Sequence, residues 1–319
     1  MPIDISIVIV SWNCKRFLLD CLASLQDQVP ADLMEIIVVD NASSDGTPEE
    51  VRMRFPNVTL IENSANVGFA RGNNIGLELT TGRYICLINP DVIVLDQCIA
   101  QMREYMEGKP DIGMLGPAIL DATGAVQRSC MRRPTLWNQF CRALGLDTIT
   151  SSSKIFGGFL MKDCRFDEIR DVDIINGCFW MVRREALSGV GGLDARFWMF
   201  ADDLDWCYRF RLAGWRIVFF PEARAVHYGS GSTDNAPLLC YIEMHRANLQ
   251  YWHKYHNFIS CCCYWLLLYI AHTIRSVAFG VRYVFRQSDR SYTLPLLKRH
   301  ITCLSWLITR RNPETAGTR

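Results

Sequence analysis

The chain has 319 residues, half of them hydrophobic and 21% charged, with Lys+Arg 34 against Asp+Glu 33. That is apolar mass enough for one large α/β domain with an appendage, and the even charge balance lacks the basic excess of a nucleic-acid partner. Met1-Pro2-Ile3-Asp4 enters a strand-like run without the segments of a secretory leader, and the 14 cysteines, with no C-x-x-C pair, read as reduced cytosolic thiols rather than disulfides or zinc ligands.

Ile5-Ser6-Ile7-Val8-Ile9-Val10-Ser11-Trp12 is a β-branched run and hence a first buried strand. Asn13 is placed to cap a helix from Arg16 to Leu25, in which Phe17, Leu18, Cys21, Leu22 and Leu25 recur at helical spacing. Glu35 to Asp40 is a second strand, followed by the polar loop Asp40-Asn41-Ala42-Ser43-Ser44-Asp45-Gly46-Thr47. Val58 to Glu62 is a third. Gly68, Gly72 and Gly76 are spaced four apart, so a helix through them has one smooth face able to lie close to a sheet or a ligand. The apolar strand Tyr84 to Ile88 stops at Asn89-Pro90-Asp91. Pro90 fixes its own φ and biases Asn89 towards extended backbone, so Asp91 is delivered rigidly just past a strand end, where open α/β sheets bind ligands. A helix from about Leu95 to Met106 and a strand from Ile112 to Gly116 continue the alternation, which predicts a mostly parallel, doubly wound sheet flanked by helices. Neither a G-x-G-x-x-G after the first strand nor a P-loop is present.

Residues 121 to 172 are less regular. Arg128, Arg132 and Arg133 around Pro134, then Ser151-Ser152-Ser153 and Gly157-Gly158, read as a surface excursion, with a flap over an anionic ligand as the sharper alternative. Ile174 to Arg183 is a strand and a helix starts near Arg184. Ala201-Asp202-Asp203-Leu204-Asp205 leads into a helix that Gly214 terminates. Arg216 to Phe220 and Ala223 to Tyr228 are strands, the second carrying His227. Past Asn235 the character changes. Leu238 to Tyr255 is helical and aromatic, and Phe258 to Ala271 is strongly apolar but too short to span a bilayer. Arg275, Arg282, Arg286, Arg290, Lys298 and Arg299 among aromatic and aliphatic residues suit a helix lying in a membrane interface, with a dimerisation or core-packed helix as the competing reading.

Asp40, Asp91, Asp202, Asp203 and Asp205 all fall at the ends of predicted elements. One acid at a helix start is an ordinary cap, but Asp202, Asp203 and Asp205 together repel one another unless a cation or substrate is near. Asp205 can pair with Arg209 at i,i+4, which leaves Asp202 and Asp203 for a cleft. Asp91 and His227, each at a strand end, offer an oxygen and a nitrogen to Mg²⁺ or Mn²⁺, whose remaining positions phosphate oxygens and water would fill. The stretch His227-Tyr228-Gly229-Ser230-Gly231-Ser232-Thr233 suits a loop closing on phosphates.

Four blocks carry a family resemblance: Val10-Ser11-Trp12-Asn13; Val38 to Gly46; Asn66-Val67-Gly68-Phe69-Ala70 with Gly72-Asn73-Asn74; and Ile88-Asn89-Pro90-Asp91. Asn176-Gly177, Gly192-Leu193-Asp194, Phe200 to Asp205 and His227 complete it. With these, residues 3 to about 235 resemble a family 2 glycosyltransferase of GT-A fold, in the rhamnosyltransferase-like branch. The resemblance implies a GT-A domain over residues 1–235, with a nucleotide-sugar half at about 1–117 and an acceptor half at about 118–235, and residues 236–319 remain the helical, membrane-interfacial region that their composition suggests. It implies that Asp40 and Asn41 contact the base or ribose, with Ser11, Asn13, Asn66, Asn73 and Asn89 on the same donor side. Asn89-Pro90-Asp91 replaces the usual Asp-x-Asp, so Asp91 becomes the principal metal ligand, with His227 as a second. Asp202-Asp203 stands where Glu-Asp is usual, and Asp203 matches the catalytic base. The implied reaction is an inverting displacement from a dTDP-, UDP- or GDP-sugar, dTDP-rhamnose first among them. Its acceptor would be a glycan or lipid-linked glycan at the cytoplasmic face of the membrane. A sugar nucleotidyltransferase and a non-catalytic sugar-binding module are the alternatives.

Overall fold

Seven consecutive buried residues, Ile5–Ser11, form β1, and the alternation of apolar strand and amphipathic helix sets the rest of the chain around it. A computed structural model describes residues 3–26, 28–149, 153, 155–229, 237–286 and 289–311. After β1 come α1 (Lys15–Ser24), β2 (Met34–Asp40), α2 (Thr47–Arg54), β3 (Thr59–Glu62), α3 (Phe69–Leu77), β4 (Tyr84–Ile88), β5 (Val92–Val94), α4 (Cys98–Glu107), β6 (Ile112–Leu120) and β7 (Cys130–Met131). The chain continues through α5 (Leu136–Ala143), α6 (Leu146–Ile149), β8 (Arg170–Asp171), β9 (Ile174–Ile175), β10 (Phe179–Arg183), α7 (Arg184–Val190), α8 (Asp202–Leu212) and β11 (Arg216–His227). It ends in α9 (Pro237–Tyr255), α10 (Phe258–Phe285) and α11 (Arg290–Thr309). Two compact units result: Met1–Arg133 with Phe159–Asn235, and Pro134–Gly158 with Ala236–Arg319.

In the first unit, nine strands form one sheet among the described residues, in the order β3-β2-β1-β4-β10-β6-β11-β5, with β8 also on β11. The strands β3, β2, β1 and β4 run parallel, as the alternation predicts. The sheet as a whole is mixed, because β10 lies antiparallel between β4 and β6, and β5 and β8 lie antiparallel to β11. The expected strand from Ile174 to Arg183 is interrupted: β9 ends at Ile175, and the chain reverses through Asn176-Gly177-Cys178 before β10. That reversal places Phe179 opposite Ile88, so β10 starts at the carboxyl end of β4. The strands expected at Arg216 and Ala223 are one element, β11, with a register shift between Phe220 and Arg224.

The small face of α3 works against the sheet. A Cβ on Gly72 would lie 2.8 Å from Val10 Cγ1, and one on Gly76 would overlap Val8, so α3 packs closer to β1 than alanine allows. Asn13 does not cap α1: Cys14 is the cap residue and its side chain makes no capping bond, while Asp45 Oδ2 accepts from Lys15 N in the first turn (2.9 Å). Asn13 instead turns, at φ 49°, to the Ser43–Ser44 loop.

The second unit is helical, and it corrects the expected boundary: residues 134–158 belong with the C-terminal helices rather than with a continuous 1–235 domain. Arg275 on α10 donates to the Ala143 carbonyl at the end of α5 (3.0 Å), which ties the two elements together. Thr135 and Asn138 form a capping box on α5, and Asn257 caps α10 through Ser260 N (2.9 Å). The apolar run expected to stop at Ala271 extends to Phe285, so α10 has 28 residues and is long and apolar enough to cross a membrane. The three residues that look like interruptions do not break it because they have internal partners: His272 meets His300, Arg275 meets Ala143, and Arg282 meets Asp289. Trp252 stacks on Tyr264 at 4.6 Å, joining α9 to α10.

Candidate active site

The carboxyl ends of β1, β2 and β4 reach one edge of the sheet. The register pairs Ser11 with Asp40, and Asn41 N donates to the Ser11 carbonyl (2.8 Å). Asp40 is 1% exposed. Its Oδ2 accepts from Ser43 N (2.8 Å), while its Oδ1 is buried without a hydrogen-bond partner. Asn41 accepts from Asn63 (2.8 Å) and donates to the Gly68 carbonyl (3.3 Å), which fixes its amide at the entry to α3. Asn13 Oδ1 accepts from Ser44 N (2.8 Å), and Asn66 Oδ1 accepts from Gly68 N (3.0 Å).

Two of the residues expected on the donor side are engaged inside the fold. The Ser11 hydroxyl lies against Cys14 Sγ (3.2 Å), and Asn73 donates to the Phe69 carbonyl one helical turn back (3.0 Å). Its neighbour Asn74 makes the long-range contact instead, both donating to and accepting from the Leu193 backbone. Gly68, at φ 85°, lies under Trp198: a Cβ there would sit 2.5 Å from the indole Cδ1. Trp198 also accepts from Phe69 N through its carbonyl (2.8 Å).

Asp91 follows the turn out of β4 and is 6% exposed. Its Oδ1 lies 3.4 Å from His227 Nε2, and its Oδ2 accepts from Gly229 N (3.1 Å). Burial alone would lift this carboxyl, but His227 and the Gly229 amide more than offset it, so Asp91 is held below the usual carboxylate range. His227 is brought there by β5, whose Val92 pairs with it across the sheet. The rest of the expected phosphate loop, Ser230 to Thr233, lies outside the described residues, as do Ser151 and Ser152. Arg132, offered earlier as part of a flap, is spent on a two-pronged pair with Asp163 (2.8 Å and 2.8 Å).

Asp202 and Asp203 open α8. Two non-glycine residues in the left-handed region precede them, Phe200 (φ 68°) and Ala201 (φ 56°), strain of a kind that clusters at functional sites. Asp202 is 6% exposed, whereas Asp203 is half-buried and accepts from Leu204 N (2.8 Å). Burial first, and for Asp202 then the charge of Asp203, raises both well above the usual carboxylate range. The third acid is structural, as its spacing predicts. Asp205 is fully buried on Arg209 (2.9 Å), whose other nitrogens donate to the Val190 and Gly192 carbonyls.

The reversal before β10 joins these two groups. Asn89 N donates to the Cys178 carbonyl (2.9 Å), and burial followed by the charge of Asp91 pushes the Cys178 thiol up to about 12. On the other side of the same segment, a Cβ on Gly177 would lie 3.7 Å from Asp202 Oδ2. Asp91 and Asp202–Asp203 therefore flank Gly177–Cys178 at one edge of the sheet. No signal in the sequence singles out Cys178 or Trp198, whereas Gly229 lies in the expected phosphate loop. A cavity of about 580 Å³ lined by Asp4, Gln28, Gln97 and Arg103 lies at the opposite, amino-terminal end of β1, away from all of these groups.

The sequence model of glycosyl transferase family 2 matches residues 6–191. An N-acetylglucosaminyl-diphospho-decaprenol L-rhamnosyltransferase from Mycobacterium tuberculosis is 29% identical over 215 residues, spanning 64% of this chain and 69% of that one. The rhamnosyltransferase WbbL of Escherichia coli K12 is 24% identical over 229 residues, 70% of this chain and 82% of its own length. Among solved structures, the mannosyltransferase PcManGT from Pyrobaculum calidifontis, in complex with GDP-Man and Mn²⁺, is similar with a TM-score of 0.57 at 18% identity, over 98% of this chain and 88% of that one. GalNAc-T7 with UDP, GalNAc and Mn²⁺ has a TM-score of 0.55 at 15% identity, over 96% and 56%. Both likenesses show a GT-A fold, and with the family match over more than half of its length the chain belongs to glycosyl transferase family 2.

Proposed function

We propose that this glycosyltransferase is an inverting, divalent-cation-dependent enzyme that moves rhamnose from dTDP-rhamnose to a hydroxyl of a lipid-linked glycan in cell-surface glycan synthesis. The observation that carries the reading is the placement of Asp91 and Asp202–Asp203 on either side of Gly177–Cys178. The names of the two rhamnosyltransferase relatives favour the sugar.

The donor atoms fit a nucleotide diphosphate and its cation. Asp40 Oδ1 and Asn89 Oδ1 are buried acceptors with no hydrogen-bond partner, an arrangement that costs about 1–3 kcal/mol for each until a ligand supplies one. Asp91, His227 and the Asn89 amide oxygen would hold Mg²⁺ or Mn²⁺, which when bound offsets charge growing on the departing diphosphate. Asp40 would accept from the base or ribose, with Asn41 and Asn13 shaping the wall beside it.

Asp203 is the better placed of the two raised carboxylates to act as base. It is the more exposed, and Leu204 N orients it by engaging one oxygen. It takes the proton of the acceptor hydroxyl as that oxygen bonds to the anomeric carbon and the bond to the diphosphate breaks on the opposite face. Buried Asp202 keeps its proton more readily and spares Asp203 a second adjacent charge.

On α10, the exposed residues Leu266, Ile270, Ile274, Val277, Val281 and Val284 recur every three or four positions, while Tyr264, Leu268, Ala271 and His272 are buried. An apolar stripe on one face only suits a helix lying in a membrane interface better than one crossing it. We place the enzyme there, on the cytoplasmic face.

The test is a donor panel. Purified protein given dTDP-rhamnose, UDP- and GDP-sugars with Mg²⁺ or Mn²⁺ and a polyprenyl-diphosphate-sugar acceptor is expected to release dTDP. Release of UDP or GDP reassigns the sugar, and release of pyrophosphate discards the transfer reaction.

A further inference from the structure

In the second unit, three helices converge on a buried set of soft donors. His245 comes from α9, His272 from α10, and His300 and Cys303 from α11, with exposures of 8%, 0%, 3% and 0%. One donor atom from each of His245, His272 and Cys303 lies within 4.8 Å of the other two. His272 Nε2 is 3.4 Å from Cys303 Sγ, and its Nδ1 is 3.0 Å from Nδ1 of His300. His245 Nε2 is buried with no hydrogen-bond partner. The edge of Tyr241 closes over the His245 ring, with centroids 4.7 Å apart.

We propose that His245, His272 and Cys303 bind a zinc ion that cross-links α9, α10 and α11, at a site separate from Asp91. Tetrahedral zinc, with bonds of about 2.0–2.1 Å to nitrogen and about 2.3 Å to sulfur, holds its donors roughly 3.3–3.7 Å apart. The His272–Cys303 pair is already at that spacing, and a closure of about 1 Å brings His245 to it. His300 supplies the outer hydrogen bond that fixes the tautomer and ring plane of a ligating imidazole, which leaves His272 Nε2 free for the ion. An unpartnered, buried imidazole nitrogen is a liability without an ion and a ligand with one.

The surrounding charges select the ion. Burial, then the neighbouring His272 and the guanidinium groups of Arg142 and Arg275, push His245 down to about 3, so its lone pair is available at neutral pH. The same arginines oppose a bare dication, so the site needs an anionic ligand, and the ion must displace the proton of Cys303 from a thiol that burial lifts to about 12. A borderline-soft ion that takes thiolate meets this demand, whereas Mg²⁺ does not.

The full chain, purified after growth with added zinc and dialysed, is expected to carry stoichiometric zinc by elemental analysis. Replacement by Co²⁺ should give a thiolate-to-cobalt charge-transfer band. Cys303→Ser and His245→Gln should lose most of the bound metal, while Asp91→Ala keeps it. Folded wild-type protein with neither zinc nor a cobalt–thiolate band overturns the proposal, and so does a band that survives Cys303→Ser. If those variants fail to fold, the wild-type cobalt spectrum alone decides.

Discussion

The two units assemble polar side chains by opposite means. In the first, parallel strands bring Ser11, Asp40 and Asn89 to one edge, because β1 and β2 end together at Ser11 and Asp40 and β4 ends beside them just before Asn89. In the second, His245, His272, His300 and Cys303 meet through the packing of three long helices, and no local rule fixes where along each helix the crossing falls. A sheet converts sequence position into spatial position almost directly, whereas a helical bundle does so only once its crossing points are known. The sheet edge also leaves its acids with unequal environments: Asp91 is stabilised as a carboxylate, and Asp202 and Asp203 are not. That inequality is what chemistry at one edge requires.

The sharpest way to break the comparison is Asp203→Asn. It is isosteric and removes a charge that burial disfavours, so the fold should persist with a melting temperature equal or higher. Transfer should fall about 10²–10⁴-fold, the usual contribution of a general base, with donor affinity retained. A variant that turns over at the wild-type rate would hand the role to Asp202 or another group. Asp91→Ala comes next. It strips His227 Nε2 and Gly229 N of their acceptor. Titration of donor binding with and without Mn²⁺ should show the metal-dependent part weakened at least about 10–100-fold, the range seen even for residues one step removed from a metal. Unchanged metal dependence would move the cation away from β4. Neither variant should alter events in the helical unit.

This contrast explains how much could be read from the chain. Strand ends with acids, the Asp205–Arg209 pair and the close packing of Gly72 and Gly76 on β1 follow from spacing and are in place, whereas Gly68 precedes α3 and faces Trp198 instead of sharing that face. The antiparallel β10 was not legible, because an apolar run such as Phe179–Arg183 carries no mark of strand direction. The length of α10 is hidden in the sequence because His272, Arg275 and Arg282 look like interruptions until their partners, His300, Ala143 and Asp289, are known. The place of residues 134–158 is hidden because nothing in their composition reveals that α5 docks on α10. The absence of a C-x-x-C pair and the apolar surroundings of the cysteines argue against ligand roles, and no spacing brings Cys303 together with His245 and His272, because in a bundle donors far apart in the chain become neighbours.

Titration sharpens the difference within the sheet edge, and activity and stability should move in opposite directions. The pair Asp202–Asp203 has raised values in the fold, so its favourable contribution to stability is fully present below the ordinary carboxylate range. It is lost as pH rises through the raised values. Asp91 has a lowered value, so its contribution is present above the ordinary range and is lost as pH falls through the folded value. Transfer needs Asp203 ionised and should climb about tenfold per pH unit along its lower limb, levelling above the raised value. In Asp202→Asn, which replaces a carboxyl that keeps its proton while Asp203 ionises, that limb should stay where it is. A limb that moves to lower pH would show that Asp202 is charged while Asp203 titrates.

The smallest expected effect on stability comes from the exposed face of α10. Val281 is 52% exposed, and it shares its face with Ile274 and Val277, so Val281→Glu creates no cavity and buries no charge. Its effect on unfolding should stay within about 0.5 kcal/mol, as for other surface changes. Binding to anionic vesicles, measured by flotation, should nevertheless fall steeply, because the charge enters the face that would meet acyl chains. The same variant separates the two readings of the stripe. If wild-type protein ignores vesicles but sediments as a dimer, and Val281→Glu sediments as a monomer, the face is a contact between copies rather than a membrane anchor. A face that carries the enzyme to its lipid-linked acceptor should affect transfer to a vesicle-embedded acceptor while leaving hydrolysis of the soluble donor unchanged. This outcome would show that the helical unit delivers substrate to chemistry performed entirely at the sheet edge.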